Sequence, residues 1–284
     1  MLSSCVQIFD GAFSAGTCEL LHASASARGL GHALFARDQP RSRLEFALSS
    51  FLDELRDDAP YVEYWSRQEW KHIEAHADVD EARAVKFADE AYRYPHHGHV
   101  LYLKVGERVR GPTCVWQGTS DDNDDAAAAA VDKFAGATTV VPAVAGRVLR
   151  FDGHLQHAVP RPADVWLAPF VINQSGPPEE FERSVVLFNT WTEPPLDVQP
   201  EAVAGGDEAS ASVRCEPREG WSVAPAEAPP AGPPNKTMKL WLLGDTRRRG
   251  QVDRTIPLQV DGDLMSDALE QVRTVTTLQP PVAS

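Results

Sequence analysis

The segment HIEAHADVDE, residues His72 to Glu81, carries two metal-ligand spellings that exclude each other. His72 and His76 stand four apart, a spacing that puts both imidazoles on one face of a helix. His76 and Asp78 stand two apart, which does the same on an extended strand. The helical spelling belongs to zinc hydrolases, where Glu directly follows the first His so that both ligands and the general base share one cleft. Here Ile73 occupies that place. Upstream, Tyr61, Val62, Tyr64, Trp65 and Trp70 crowd a β-forming stretch. Strand and His-x-Asp is therefore the better reading.

Two neutral imidazoles and one carboxylate on one face of an octahedral iron leave three positions open for cosubstrate and oxygen. Such a site needs a second histidine from a distant strand, and GRVLRFDGHLQHAVP offers His154 and His157. Gly146 opens a strand of alternating residues and Asp152-Gly153 turns it; His154 falls in the turn and His157 on the run beyond. His157 is the better ligand. A third cluster, His96, His97 and His99 in YPHHGHV, is made turn-like by Pro95 and Gly98. Metals favour ligands on rigid elements with supporting hydrogen bonds, so this cluster is expected as a solvated loop at a pocket rim. ERSVVLFNTW sets Arg183 at the head of an apolar strand. A buried arginine there needs a carboxylate of good geometry, and Glu179, Glu180 and Glu182 are near in sequence.

The elements that must position these residues are mostly strands. RSRLEFALSSFLDELRD spaces Leu44, Leu48, Phe51, Leu52 and Leu55 as one face of an amphipathic helix, which Ala59-Pro60 ends. Beyond it the chain turns to short β-rich runs bounded by Gly, Pro, Asp or Asn. Strands after a helical start suggest a β-sandwich or jelly roll with a helical buttress. The boundaries read as helical support over 1–60, a β core over 61–192, a Pro/Ala-rich linker over 193–236, and C-terminal strands docking on the core over 237–284. GTSDDNDDAAAAAVDK, 118–133, reads as an acidic surface loop, and DTRRRGQ as a hairpin tip between two late strands.

Composition excludes several classes of function. The 284 residues carry 27 Lys and Arg against 41 Asp and Glu, a formal net charge of -14. A phosphate-gripping protein draws its affinity from Lys and Arg, so a nucleic-acid binder is not expected. The acidity is read chiefly as solubilising. Cys5, Cys18, Cys114 and Cys215 show no zinc-ribbon spacing and read as reduced thiols of an intracellular, cytoplasmic protein. MLSSCVQIFDGAF lacks a basic leader, so no secretory signal is expected. No apolar run approaches the ~18 residues of a membrane span.

Taken in order, HADVDE, HVLYL, GPTCVW, GRVLRFDGHLQHAVP and RSVVLFNTW resemble the iron(II)- and 2-oxoglutarate-dependent oxygenases, most of all their prolyl-4-hydroxylase-like branch. The resemblance runs from about Tyr61 to Trp191. It implies a mainly β protein with a helical buttress, a double-stranded β-helix (jelly roll, cupin-like) whose mouth holds iron. His76, Asp78 and His157 match the metal ligands. Arg183 matches the anchor of the 2-oxoglutarate 5-carboxylate, and Tyr102 and Thr113 match residues lining that pocket. Arg183 follows His157 across the long DVWLAPFVINQSGPPEEFE, which makes Arg161 the alternative anchor. The implied cofactors are Fe(II) and 2-oxoglutarate, with ascorbate as a supporting reductant. The implied reaction is hydroxylation of a protein side chain, prolyl included, or of a small molecule, with release of succinate and carbon dioxide. Because Asp78 fills a ligand position, no vacancy is left for chloride, and hydroxylation is favoured over halogenation. Two other readings stay open: a non-catalytic double-stranded β-helix that binds a partner, and a cupin-type metal enzyme without 2-oxoglutarate.

Overall fold

The computed structural model describes residues 5–29, 31–68, 73–87, 90–109, 111–118, 134–160, 179–202, 213–241 and 255–281. The acidic loop, the segment that holds Arg161, the DTRRRGQ turn and His72 lie outside them.

Eight strands form the central frame: β3 (Tyr61–Arg67), β4 (Ile73–His76), β5 (His97–Val105), β6 (Thr113–Trp116), β7 (Thr138–Val141), β8 (Val148–Asp152), β9 (Gln156–Val159) and β10 (Arg183–Trp191). They divide between two sheets, in the order β3-β10-β5-β8 in one and β4-β9-β6-β7 in the other. Every neighbouring pair is antiparallel. The chain thus winds back and forth between the sheets, which is the double-stranded β-helix. β1 (Val6–Phe9) and β2 (Ala33–Ala36) extend the larger sheet. β11 (Ser222–Val223) extends it further, and β12 (Ala226–Glu227) and β15 (Thr276–Leu278) extend the smaller one.

Period-2 alternation sorts the side chains into layers. Between the sheets lie Val100, Tyr102, Val115, Val141, Leu149, Phe151 and Val185. The outer face of the larger sheet, with Val62, Tyr64, Leu101, Leu103, Val186 and Phe188, packs on helices α1 (Ala15–Ala27) and α2 (Arg43–Glu54). Helix α2 starts on a capping box between Ser42 and Glu45 and buries the leucine face read from its spacing. The outer face of the smaller sheet, with Ala75, Cys114, Trp116 and Ala158, is covered by the C-terminal segment. That segment comprises β13 (Lys236–Trp241), β14 (Thr255–Val260) and α4 (Gly262–Glu270).

Two boundaries differ from the sequence reading. Residues 1–60 supply strands as well as helices, with β1 paired to β8 and β2 to β3. The described part of 193–236 is largely exposed but anchored at points: Pro195 is buried, Val213 and Cys215 are buried against the helices, and Arg28 holds Glu201 at 2.8 Å. Apolar and charged residues spaced among the prolines find partners on a core that local composition does not reveal.

A candidate metal centre beside an unpartnered arginine

His76 ends β4 and pairs directly with His157 of the antiparallel β9. Residues opposite each other across an antiparallel pair share a face, and the two ring centroids are 4.3 Å apart. The chain then carries Asp78 back over them: its Oδ1 lies 3.5 Å from His76 Nε2 and 4.0 Å from His157 Nε2. One ligand atom from each of the three falls within 4.8 Å of the others. His154 is exposed in the turn before β9, away from this point.

Backbone carbonyls set the tautomers. His76 Nδ1 donates to the Glu74 carbonyl at 2.7 Å and His157 Nδ1 to the Leu155 carbonyl at 3.3 Å. A carbonyl can only accept, so each Nδ1 carries a proton and each Nε2 is left to face the common point. Burial pushes the His157 pKa down to about 4, and His76 adds to the shift, so this ring is neutral at physiological pH. Burial opposes charge on His76 as well, but the Asp78 carboxylate outweighs it and raises the pKa. Burial also works against an ionised Asp78; His157, His76 and the Asn189 side chain outweigh it and hold the carboxyl below the usual range.

The acidic run after the ligands has structural work. Asp80 caps α3 (Glu81–Lys86) by accepting from Arg83 N, and it also pairs with Arg93 and accepts from Leu196 N at 3.0 Å. Arg93 in turn lies 5.5 Å over the Trp191 ring. Asp78 is thereby held between a strand end and a capped, ion-paired corner. On the other side, Phe151 leans on His157 at 4.7 Å between centroids. Gly98 opposite makes room for it, since a Cβ there would come within 2.6 Å of the Phe151 ring.

Arg183 begins β10 on the face that looks between the sheets. It is 2% exposed, and its Nε and Nη1 have no hydrogen-bond partner among the described residues. The neighbouring glutamates are engaged elsewhere: Lys104 holds Glu182 at 2.8 Å and Glu179 at 3.3 Å, and Arg108 holds Glu180 at 3.1 Å. The guanidinium sits 5.3 Å over the Tyr102 ring, and Tyr102 Oη bonds Thr113 Oγ1 at 2.7 Å. Burial lowers the Arg183 pKa while Tyr102 works the other way. A buried cation with idle donors costs several kcal/mol unless an anion completes it. A dicarboxylate between this arginine and the metal centre fits that need.

Asn189 was missed by sequence reasoning, although its signal is visible. Positions 183, 185, 187 and 189 share one face of β10, and Asn189 is the one that reaches Asp78. The YPHHGHV cluster is corrected. His97 opens β5 rather than a loop, and His99 is buried, stacked on Phe188 at 4.2 Å with 5° between planes. His96 and His97 do converge with Asp57 in a second two-histidine, one-aspartate group. There Arg150 Nη2 donates to Asp57 Oδ2 at 2.7 Å and lies 3.1 Å from His97 Nδ1. A protein cation already engages two of the three groups.

No family model matches the chain, and no curated protein matches it. Among solved structures it is similar to a Pseudomonas putida prolyl-4-hydroxylase, with a TM-score of 0.40 and 14% identity, covering 66% of this chain and 86% of that one. It is also similar to HygX from Streptomyces hygroscopicus, solved with nickel and 2-oxoglutarate bound, with a TM-score of 0.42, 16% identity, and coverage of 77% and 95%. A viral collagen prolyl hydroxylase from Paramecium Bursaria Chlorella virus-1 matches with a TM-score of 0.37 and 15% identity, covering 66% and 88%. The double-stranded β-helix itself is established by the strand order above. No helix among the described residues is long and apolar enough to cross a membrane.

Proposed function

We propose that the protein is an iron(II)- and 2-oxoglutarate-dependent dioxygenase that hydroxylates a small molecule or a protein side chain, prolyl included. The observation that carries this is two complementary groups on strands whose side chains turn between the same two sheets. At one end, His76, Asp78 and His157 present three converging donors. At the other, Arg183 presents buried, idle hydrogen-bond donors. Two imidazoles and a carboxylate suit iron(II) with open positions, and a planar guanidinium suits a carboxylate. His76, Asp78 and His157 would hold the metal, and Arg183 the far carboxylate of 2-oxoglutarate, with Tyr102 and Thr113 walling the same pocket.

When bound, iron and 2-oxoglutarate supply the oxidising chemistry that places one oxygen atom of O2 on a C–H bond and the other in succinate, with loss of carbon dioxide. The chain's contribution is orientation. The carbonyls of Glu74 and Leu155 fix the ligand tautomers, Asn189 steadies Asp78, and the apolar lining of Val100, Val115, Leu149 and Val185 excludes water.

The test is succinate release from 2-oxoglutarate with iron(II) and ascorbate, together with metal and 2-oxoglutarate binding measured directly. The expected result is one iron per chain and turnover that disappears in His157→Ala. Purified protein that binds neither iron nor 2-oxoglutarate overturns the reading.

A further inference from the structure

The inner face of the larger sheet continues past Arg183 and Asn189 onto β3. Val62 and Tyr64 pack on the helices, so Glu63, Trp65 and Arg67 turn the other way. In register, Glu63 lies opposite Asn189, Trp65 opposite Leu187, and Arg67 opposite Val185. These three residues therefore line the same side as the proposed metal and cosubstrate groups, one strand farther out.

Their states differ. Glu63 is satisfied, with Oε1 on His32 Nδ1 at 2.7 Å and Oε2 on Trp191 Nε1 at 3.0 Å. Trp65 is not. It is 6% exposed and its ring is stacked on His32 at 4.4 Å, yet its indole N–H is buried with no acceptor among the described residues. Leaving such a donor unpaired costs about 1–3 kcal/mol, which an incoming oxygen would recover. Arg67 is exposed and forms no ion pair with a described residue. Its place opposite Val185, two positions along β10 from Arg183, sets it on the same face of the sheet as that guanidinium.

We propose that Trp65 and Arg67 are the substrate-recognition strip of this site, and that they select a substrate bearing an oxyanion, a carboxylate or a phosphate. The acid group pairs with the Arg67 guanidinium, whose planar fork matches two oxygens, and the Trp65 N–H takes one oxygen of the same group or of its neighbour. Two positions apart on a strand, the two Cα atoms are about 7 Å from each other, within the span of one small acid and an arginine side chain. The chain as a whole carries a formal net charge of -14. The molecule's overall field works against an anionic substrate, so its selection depends on a local cation such as Arg67. The inference rests on the oxygenase reading for the term substrate, and on the β3 geometry for the oxyanion.

The experiment uses the full chain with saturating Ni(II) and 2-oxoglutarate, so that the Arg183 pocket is filled, and reads binding by calorimetry. The probes are matched pairs: N-acetyl-L-proline and its primary amide, benzoate and benzamide, phenyl phosphate and phenol. At least one acid is expected to bind ten-fold or more tightly than its neutral partner, with the stronger of the carboxylate and phosphate arms naming the source. Arg67→Gln removes that preference while 2-oxoglutarate affinity stays within three-fold; Trp65→Phe weakens the acid about five-fold. Equal binding of acids and neutral partners by the wild type overturns the proposal. So does an Arg67→Gln protein that loses 2-oxoglutarate as strongly as the acid, because Arg67 then belongs to the cosubstrate. If the wild type takes up neither Ni(II) nor 2-oxoglutarate, the oxygenase reading falls. The acid-over-neutral comparison on the metal-free chain then still decides the strip.

Discussion

His76, Asp78 and His157, between the sheets, have the same make-up as Asp57, His96 and His97, at the edge of the helical face. In the first group each ring has its Nδ1 tied to a backbone carbonyl two residues earlier in the chain, and the remaining nitrogens face a carboxylate. In the second, Asp57 accepts from Arg150 and from Ala59 N, and His97 lies against the same guanidinium. The lesson concerns charge. A carboxylate with two imidazoles is only half a metal site, and what the fourth neighbour is decides the rest. Where it is an arginine, the group is a salt-bridged corner holding α2 to β5 and β8; where no described cation intrudes, the donors stay available.

The largest expected effect breaks the first group. Asp78→Ala or His157→Ala should weaken iron(II) binding well beyond the ~10–100-fold that losing a supporting hydrogen bond costs, while His96→Ala and His97→Ala leave metal stoichiometry unchanged. Equilibrium dialysis with metal analysis checks both halves. Next, Arg183→Gln should weaken 2-oxoglutarate by about 100-fold, in the range for truncating one partner of a buried charge pair, with iron affinity retained; calorimetry reads it.

The second group should fail as structure rather than as a ligand set. Asp57→Asn is expected to cost about 3 kcal/mol, since it takes the one carboxylate from a half-buried Arg150 that otherwise meets only Gln7 and His97 among the described residues, without changing iron binding. Burial works against the Asp57 carboxylate, but His97, the Ala59 amide and Arg150 outweigh it and hold its pKa below the usual range. A depressed folded value means that the stabilisation is complete above the unfolded value, about 3.9. It is lost as pH falls through the folded one. Denaturant unfolding from pH 6 to pH 2 should therefore show a steeper acid loss in the wild type than in Asp57→Asn. Smallest, Tyr102→Phe removes one hydroxyl from the Arg183 pocket and should weaken 2-oxoglutarate about five-fold, one neutral hydrogen bond's worth.

Local pattern made much of this legible. Alternation along RSVVLFNTW puts Arg183 and Asn189 on one face, and the leucine spacing of α2 marks its buried side. The YPHHGHV cluster misled because Pro95 and Gly98 are turn residues by composition, whereas here Gly98 sits inside β5 to admit the Phe151 ring. The linker reading of 193–236 did not foresee its anchors, because proline and alanine content says nothing of the distant surface that Val213 and Cys215 cover.

What the sequence by itself determined is the set of donors, with His76 and Asp78 within one short segment, His157 after a turn and Arg183 at a strand head, and the parity of those on strands. Asp78 lies past the end of β4, so alternation does not place it. Side-chain direction along a strand repeats every second residue, so it can be read without knowing the neighbours. Only the tertiary structure decided that His157 faces His76, that no described glutamate pairs with Arg183, and that Arg150 engages Asp57 and His97 of the rival cluster. Those outcomes depend on register between strands far apart in the chain, and register is set by packing of the whole core rather than by any local run of residues.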